Sequence, residues 1–201
     1  MRQIILFARR APTSPGFKLN DLPGAGRMDL VCRCVTSALF LSEEIRRDTA
    51  IAAVLDGPPD PPKAVTFHGA KVRRLYPDER NVASHIQIAL EASLRAGPGE
   101  VPEPEPGITV ARKGLESILK ERAEEGRALL YLHKQGEDLR KAELPGGATF
   151  VLGDHLGLPK AAEGLLERLG ARRLSVGRVE YLASHVIAVV HNELDRRLEG
   201  P

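Results

Sequence analysis

Little in this chain ties it to a membrane or to secretion. No apolar run in its 201 residues approaches the length that spans a bilayer. The opening MRQIILFARRAPTSPG has an apolar run too short for a signal peptide and no convincing cleavage site, so Gln3–Ala8 is expected to be a first strand. Cysteine is scarce: Cys32 and Cys34 are the two present, and on an expected helix their side chains diverge too far for a disulfide. A reducing, cytoplasmic setting is therefore expected. One-sided charge is missing too, since a net charge of +2 does not announce a nucleic-acid binder. The arginines do come in pairs, at Arg9/Arg10, Arg46/Arg47, Arg73/Arg74, Arg172/Arg173 and Arg196/Arg197. Any one pair reads first as a solvated strand or helix end, and only a fold that gathers several on one face makes an RNA footprint.

Several catalytic signatures are also absent. There is no G-x-x-x-x-G-K-[ST] and no G-x-G-x-x-G after a strand, which removes the usual support for nucleotide hydrolysis and dinucleotide binding. Ser184 and His185 adjoin, but neighbouring helix residues point apart and no G-x-S-x-G elbow exists, so a hydrolase is disfavoured. The six histidines lack an H-x-x-x-H pair, and no metal site is expected.

What is present is an alternation of strand and helix. Apolar β-rich runs lie at Ile4–Phe7, Ala50–Leu55, Val65–Phe67, Val72–Leu75, Ala128–Leu132, Thr149–Leu152 and Arg172–Val176. Helical spacing fills Met28–Leu41, Arg80–Leu94, Lys113–Glu125, a segment from Ala161 to Leu169, and about Glu180–Leu198. The pattern predicts an α/β fold with a mainly parallel sheet flanked by helices. DGPPDPPK, residues 56–63, reads as a rigid exposed loop. GPGEVPEPEPG, residues 97–107, reads as a polar Pro/Glu-rich surface linker within one domain covering 1–201.

Two glycine loops follow short apolar strands, in FVLGDHLGLP (150–159) and in LSVGRVEYLASHVIAVVHNELDRRLEG (174–200). Glycine lets a ligand approach the backbone closely. Together with FKLNDLPGAGRMDLVCR near the N-terminus, these stretches resemble the archaeal-type tRNA (pseudouridine(54)-N(1))-methyltransferases of the SPOUT superfamily, and the resemblance runs over nearly the whole chain. It implies a C-terminal trefoil knot threaded by the last helix, a homodimer, and S-adenosyl-L-methionine bound by three loops: Leu130–Gly136, Leu152–Gly157 and Leu174–Leu182. The cofactor-binding residues it implies are Leu132, Gly153, Leu174, Val176, Gly177, Leu182 and Val186, the last standing where relatives often carry cysteine. The implied reaction is N1-methylation of pseudouridine in the tRNA T-loop, without a metal.

A protonated ring nitrogen is a poor nucleophile, so such an enzyme must take its proton or stabilise the resulting anion. In NDLPGAGRMD the candidates are Arg27, for the anion or an RNA phosphate, and Asp29 or Asp21, for the proton. Asp29 reads equally as a helix N-terminal stabiliser and Asp21 as a loop-ordering carboxylate. Lys63, beside the proline loop, and Arg10 are further candidate RNA contacts. A ribosomal RNA target and a non-catalytic RNA-binding or assembly protein of the same fold remain open at this point.

Overall fold

β1 (Arg2–Ala8) lies at the centre of a seven-stranded sheet ordered β4-β3-β2-β1-β6-β5-β7. Its partners are β2 (Thr49–Leu55) and β6 (Thr149–Gly153), both parallel to it. Beyond β6, β5 (Leu129–Asp138) and β7 (Arg172–Ser175) continue the parallel set. On the other side β3 (Lys63–His68) and β4 (Ile108–Ala111) pair antiparallel. The sheet is mainly parallel, as the alternation of elements predicts. The computed structural model of the protein describes residues 1–198; the ends of the expected 1–201 domain and of the 174–200 motif lie outside the described residues.

Period-two alternation assigns the side chains to layers. Ile4, Leu6 and Ala8, with Ile51, Ala53, Leu55, Val65 and Phe67, face α1 (Met28–Leu39), α2 (Glu79–Arg95) and Ile187 of α5 (Ala183–Leu198). Ile5, Phe7, Val54 and Val151 face the other way, onto α3 (Leu115–Glu124) and α4 (Lys160–Arg168). Leu130, Phe150 and Leu174 form a third cluster under Val190 of α5. Cys32 and Cys34 are free and fully buried on α1, and burial raises both thiols, Cys34 to about 12.

Two expectations need correction. Val72–Leu75 is not a strand. Val72 and Leu75 are both buried, three residues apart, while Arg73 and Arg74 between them are exposed, an arrangement that strict alternation cannot produce. Arg74 takes a left-handed φ of 56° there. Conversely, β4 was hidden behind the prolines of 97–107, and that stretch is more than a spacer. Glu105 meets His85 Nδ1 at 2.6 Å, the Gly107 N–H donates to Glu103, and the Val110 N–H donates to the Pro102 carbonyl.

α5 is tied back to the start of the sheet by a half-buried ion cluster. Asp195 accepts from Arg2 at 2.7 Å and from both Nη atoms of Arg46 at 3.0 and 2.5 Å, while an Arg2 Nη1 donates to His191 Nδ1 at 3.1 Å. Burial first, then the charges of Arg46 and Arg2, push the His191 ring down from 6.5 to about 4, against a smaller opposing pull from Asp195 and the Ala38 backbone. The unfolded chain therefore binds more protons than the folded one between these values. His191 contributes its full stability above pH 6.5 and loses it as pH falls towards 4, a swing on the order of 3 kcal/mol. His68, whose ring burial also lowers, adds in the same sense. Thermal melts of His191→Gln should show a shallower fall in Tm over this range than the parent; an identical pH slope would remove His191 from the account.

Candidate functional site

Ligands of open parallel sheets collect beyond the carboxyl ends of the strands. Here the adjacent ends of β6, β5 and β7 surround a cavity of about 480 Å³, within the range of small-molecule sites. All seven residues expected to hold the cofactor line it: Leu132, Gly153, Leu174, Val176, Gly177, Leu182 and Val186. Leu30 of α1, Tyr131 and Asp154 complete much of the wall.

Each loop owes its shape to a local rule. After Leu132 the pairing of β5 with β7 breaks and resumes at Glu137, so residues 133–136 leave the ladder, and His133 and Lys134 among them line the cavity. Gly136 closes this bulge against β7, where a Cβ would lie 2.5 Å from the Leu174 backbone. In the second loop a Cβ on Gly153 would lie 2.4 Å from the carbonyl carbon of Gly157, so the loop doubles back on itself only with glycine there. Buried Asp154 fixes that turn by accepting from the N–H groups of Arg9, at 2.9 Å, and Leu156, at 2.8 Å. In the third loop Ser175 Oγ donates to the Gly177 carbonyl at 2.8 Å, and open space surrounds the missing side chain of Gly177. Lys134 and Glu180 meet at 2.5 Å across the rim.

Apolar walls from leucine and valine, glycines that expose backbone, and rim charges of both signs suit a nucleoside bearing a zwitterionic amino-acid tail. S-adenosyl-L-methionine has that chemistry, so these residues fit it. Among the described residues no group of three or more His, Cys, Asp or Glu is placed to hold a metal ion, and no helix is long and apolar enough to cross a membrane.

The expected catalytic and RNA residues lie outside the cavity lining. Arg27 occupies the N-cap of α1 at φ 66°, close enough to cavity-lining Asp154 for their charges to act on one another. Its Nε and Nη2 donate to Asp29 at 3.0 and 3.1 Å, and Arg33 donates to the same carboxylate at 2.6 Å. Burial pushes the Asp29 carboxyl up, but these hydrogen bonds and charges outweigh it and hold the group below its ordinary value. The hydrogen bond to Asp29 raises the Arg27 guanidinium in turn. Asp29 is thus an anchored anion, poorly suited to take a proton. Asp21 accepts from the Gly24 N–H at 3.0 Å and orders the turn. The Arg10 carbonyl packs against Gly26 and Gly57, joining three loops, while its side chain is exposed.

Lys63 is corrected outright. It is fully buried, donating from Nζ to the Thr13 carbonyl at 2.8 Å and pairing with Asp60 at 3.3 Å, so it cannot reach a phosphate. Lys63→Met should leave RNA affinity unchanged and cost about 1–3 kcal/mol of stability through the stranded carbonyl, read as a lower Tm. Weakened RNA binding without a stability loss would reverse this assignment.

Sequence reasoning missed Asp154, although it sits between the glycines of LGDHLG, and it missed Arg33, whose signal was its i,i+4 spacing from Asp29. His133 and His155 line the cavity whereas His185 is exposed and does not.

The architecture and site define a class: an α/β protein with a mainly parallel sheet and a cavity of ligand size at its strand ends. Over 98% of its length the chain superposes on 98% of the Archaeoglobus fulgidus Nep1 bound to S-adenosylhomocysteine, with a TM-score of 0.63 at 16% identity, which speaks for the fold alone. A family model described as "Putative SAM-dependent RNA methyltransferase" matches residues 1–198, and the chain belongs to that family. Similar relatives include the tRNA (pseudouridine(54)-N(1))-methyltransferase of Methanococcoides burtonii, 43% identical over 100% of this chain and 98% of that protein. The Methanopyrus kandleri protein of the same name is 45% identical over 97% of this chain and 93% of its own length.

Proposed function

We infer that this chain transfers a methyl group from S-adenosyl-L-methionine to N1 of pseudouridine 54 in tRNA. One observation carries the reading: a family member along its whole described length folds all seven cofactor residues around one cavity at the ends of three adjacent parallel strands. When bound, the cofactor supplies an electrophilic methyl on a sulfonium. The chain's own contribution is placement and charge. The three loops hold the nucleoside and leave one side open to RNA, which aligns the two reactants. Arg27, kept protonated, fixed by Asp29 and near enough to cavity-lining Asp154 for their charges to act on one another, stabilises negative charge as the base gives its N1 proton to water.

The chain acts as one domain, in the cytoplasm, on this reading. α5 leaves the edge strand β7 and returns over the sheet to α1 and Arg2, a path that accords with threading into a trefoil knot. Val179, Tyr181, Leu182 and Val189 are exposed along this segment, and a second copy of the chain would cover them in a homodimer. The deciding assay offers labelled cofactor with synthetic T-arm stem-loops that carry uridine or pseudouridine at the target. Transfer to the pseudouridine RNA alone is expected. No transfer, or preference for a ribosomal helix, would overturn the assignment.

A further inference from the structure

The fold ties down several of the paired arginines. Arg46 is bound to Asp195, and Arg47 donates to the Gly69 and Val72 carbonyls. Arg172 and Arg173 pair with Glu137 and Glu167, and Arg197 with Glu193 and two carbonyls. Arg9, Arg10 and Arg196 are exposed and in no ion pair among the described residues, and the same holds for Arg73, Arg74 and, close by in the chain, Arg80. Between Arg74 and Arg80 in the chain stands Tyr76, 60% exposed, in a protein with 4% aromatic residues.

This segment is irregular but held. Val72 and Leu75 anchor it in the core. The Arg74 carbonyl lies 3.2 Å from His85 Nε2, and the Tyr76 N–H donates to Asn81 Oδ1 at 2.7 Å. Arg74 keeps a left-handed φ of 56° without being glycine, a strained conformation of the kind that persists where function uses it. Exposed cations close in sequence to an outward aromatic ring, on a backbone held in place, are the groups that bind unpaired nucleotides, phosphates on the guanidiniums and a base on the ring. The segment is also coupled to the site. Glu79, at the start of α2, pairs with Arg33 at 3.0 Å, Arg33 with Asp29 at 2.6 Å, and Asp29 with Arg27.

We propose that Arg73, Arg74, Tyr76 and Arg80 form a second RNA-contact surface, which grips unpaired nucleotides of the substrate away from the methylated base. The inference rests on the RNA methyl transfer proposed above. Its partner is RNA because three arginines in no ion pair and an exposed tyrosine fall within residues 73–80, against one exposed acid there, Asp78.

The test measures tRNA binding by fluorescence anisotropy and methylation by steady-state kinetics. Tyr76→Ala should raise the tRNA Kd and KM on the order of tenfold, with kcat at saturating tRNA and the affinity for S-adenosylhomocysteine unchanged. Arg73→Ala with Arg74→Asn, asparagine being chosen because it tolerates positive φ, should lower the slope of log Kd against log salt by about 1.5. Parental affinity and salt slope in both variants would overturn the proposal and leave the surface to a protein partner. Should the parent protein bind tRNA without methylating pseudouridine, the functional reading fails, while the anisotropy still decides the surface.

Discussion

Gly153→Ala is expected to weaken cofactor binding by up to on the order of a hundredfold, although it adds a single methyl group. From the sequence, the reason would be that a side chain there intrudes on the ligand. The structure gives a different one. The added Cβ would sit 2.4 Å from the Gly157 carbonyl carbon and 2.8 Å from its Cα, both backbone atoms that cannot swing aside. The loop from Gly153 to Gly157 must open, and Asp154 then loses the geometry with which it accepts from Arg9 and Leu156. Overpacking of this kind costs about 1–3 kcal/mol, and the cavity wall absorbs it, so affinity for S-adenosylhomocysteine should fall by about fivefold to on the order of a hundredfold. Titration calorimetry reads it directly. Gly157→Ala makes the contrast: that residue has open space but a φ of 68°, so its penalty is backbone strain alone and its effect should be smaller. Gly153→Ala with parental affinity would mean that the second loop does not shape the cofactor site.

Two of the three candidate cofactor loops were legible because their physics is local. A short apolar strand ending in glycine announces a backbone open to a ligand, and both stretches read that way contribute to the cavity lining, whereas Leu130–Gly136 was named only through the family resemblance. Their adjacency was not legible, since the order β6-β5-β7 depends on pairings between residues far apart in the chain. Resemblance to a family bridged that gap, where periodicity could not.

The departures from expectation have separate physical causes. Lys63 follows a proline loop and looks like a free cation, yet its four-carbon stem carries the ammonium inward to a carbonyl that needs a donor. Asp29 looks like a base at a helix start, but the same helix places Arg33 one turn on, and the turn before it aims Arg27 at the carboxylate. Val72–Leu75 looks like a strand because its ends are apolar. The cost of burying Arg73 and Arg74 decides otherwise, and the chain adopts an anchored loop. β4 escaped because four residues, Ile108–Ala111, give too short a pattern to stand out after so many prolines.

Arg27 and Asp29 should separate cleanly in kinetics. If the proposed role holds, Arg27→Ala removes the cation that offsets developing negative charge, a loss that typically lowers kcat by about 10²–10³, and it should leave S-adenosylhomocysteine affinity intact because Arg27 does not line the cavity. Arg27→Lys keeps a charge but not the two-point grip on Asp29, so it should recover only part of the rate. Asp29→Asn tests the remaining question. Were Asp29 the base, the acid limb of the rate profile would be its titration and would vanish in the variant. Instead the carboxyl is held below its ordinary value by Arg27 and Arg33 despite burial, so it is ionised throughout the working range and shapes no limb there. The expected outcome is a lower kcat, with an unchanged profile between about pH 5 and 8, because the asparagine still spaces the turn but no longer fixes the guanidinium. A profile that loses its acid limb would restore Asp29 as the proton acceptor. A joint loss of cofactor affinity in Arg27→Ala would show that the α1 start shapes the cavity itself, through Leu30, rather than the charge at its mouth.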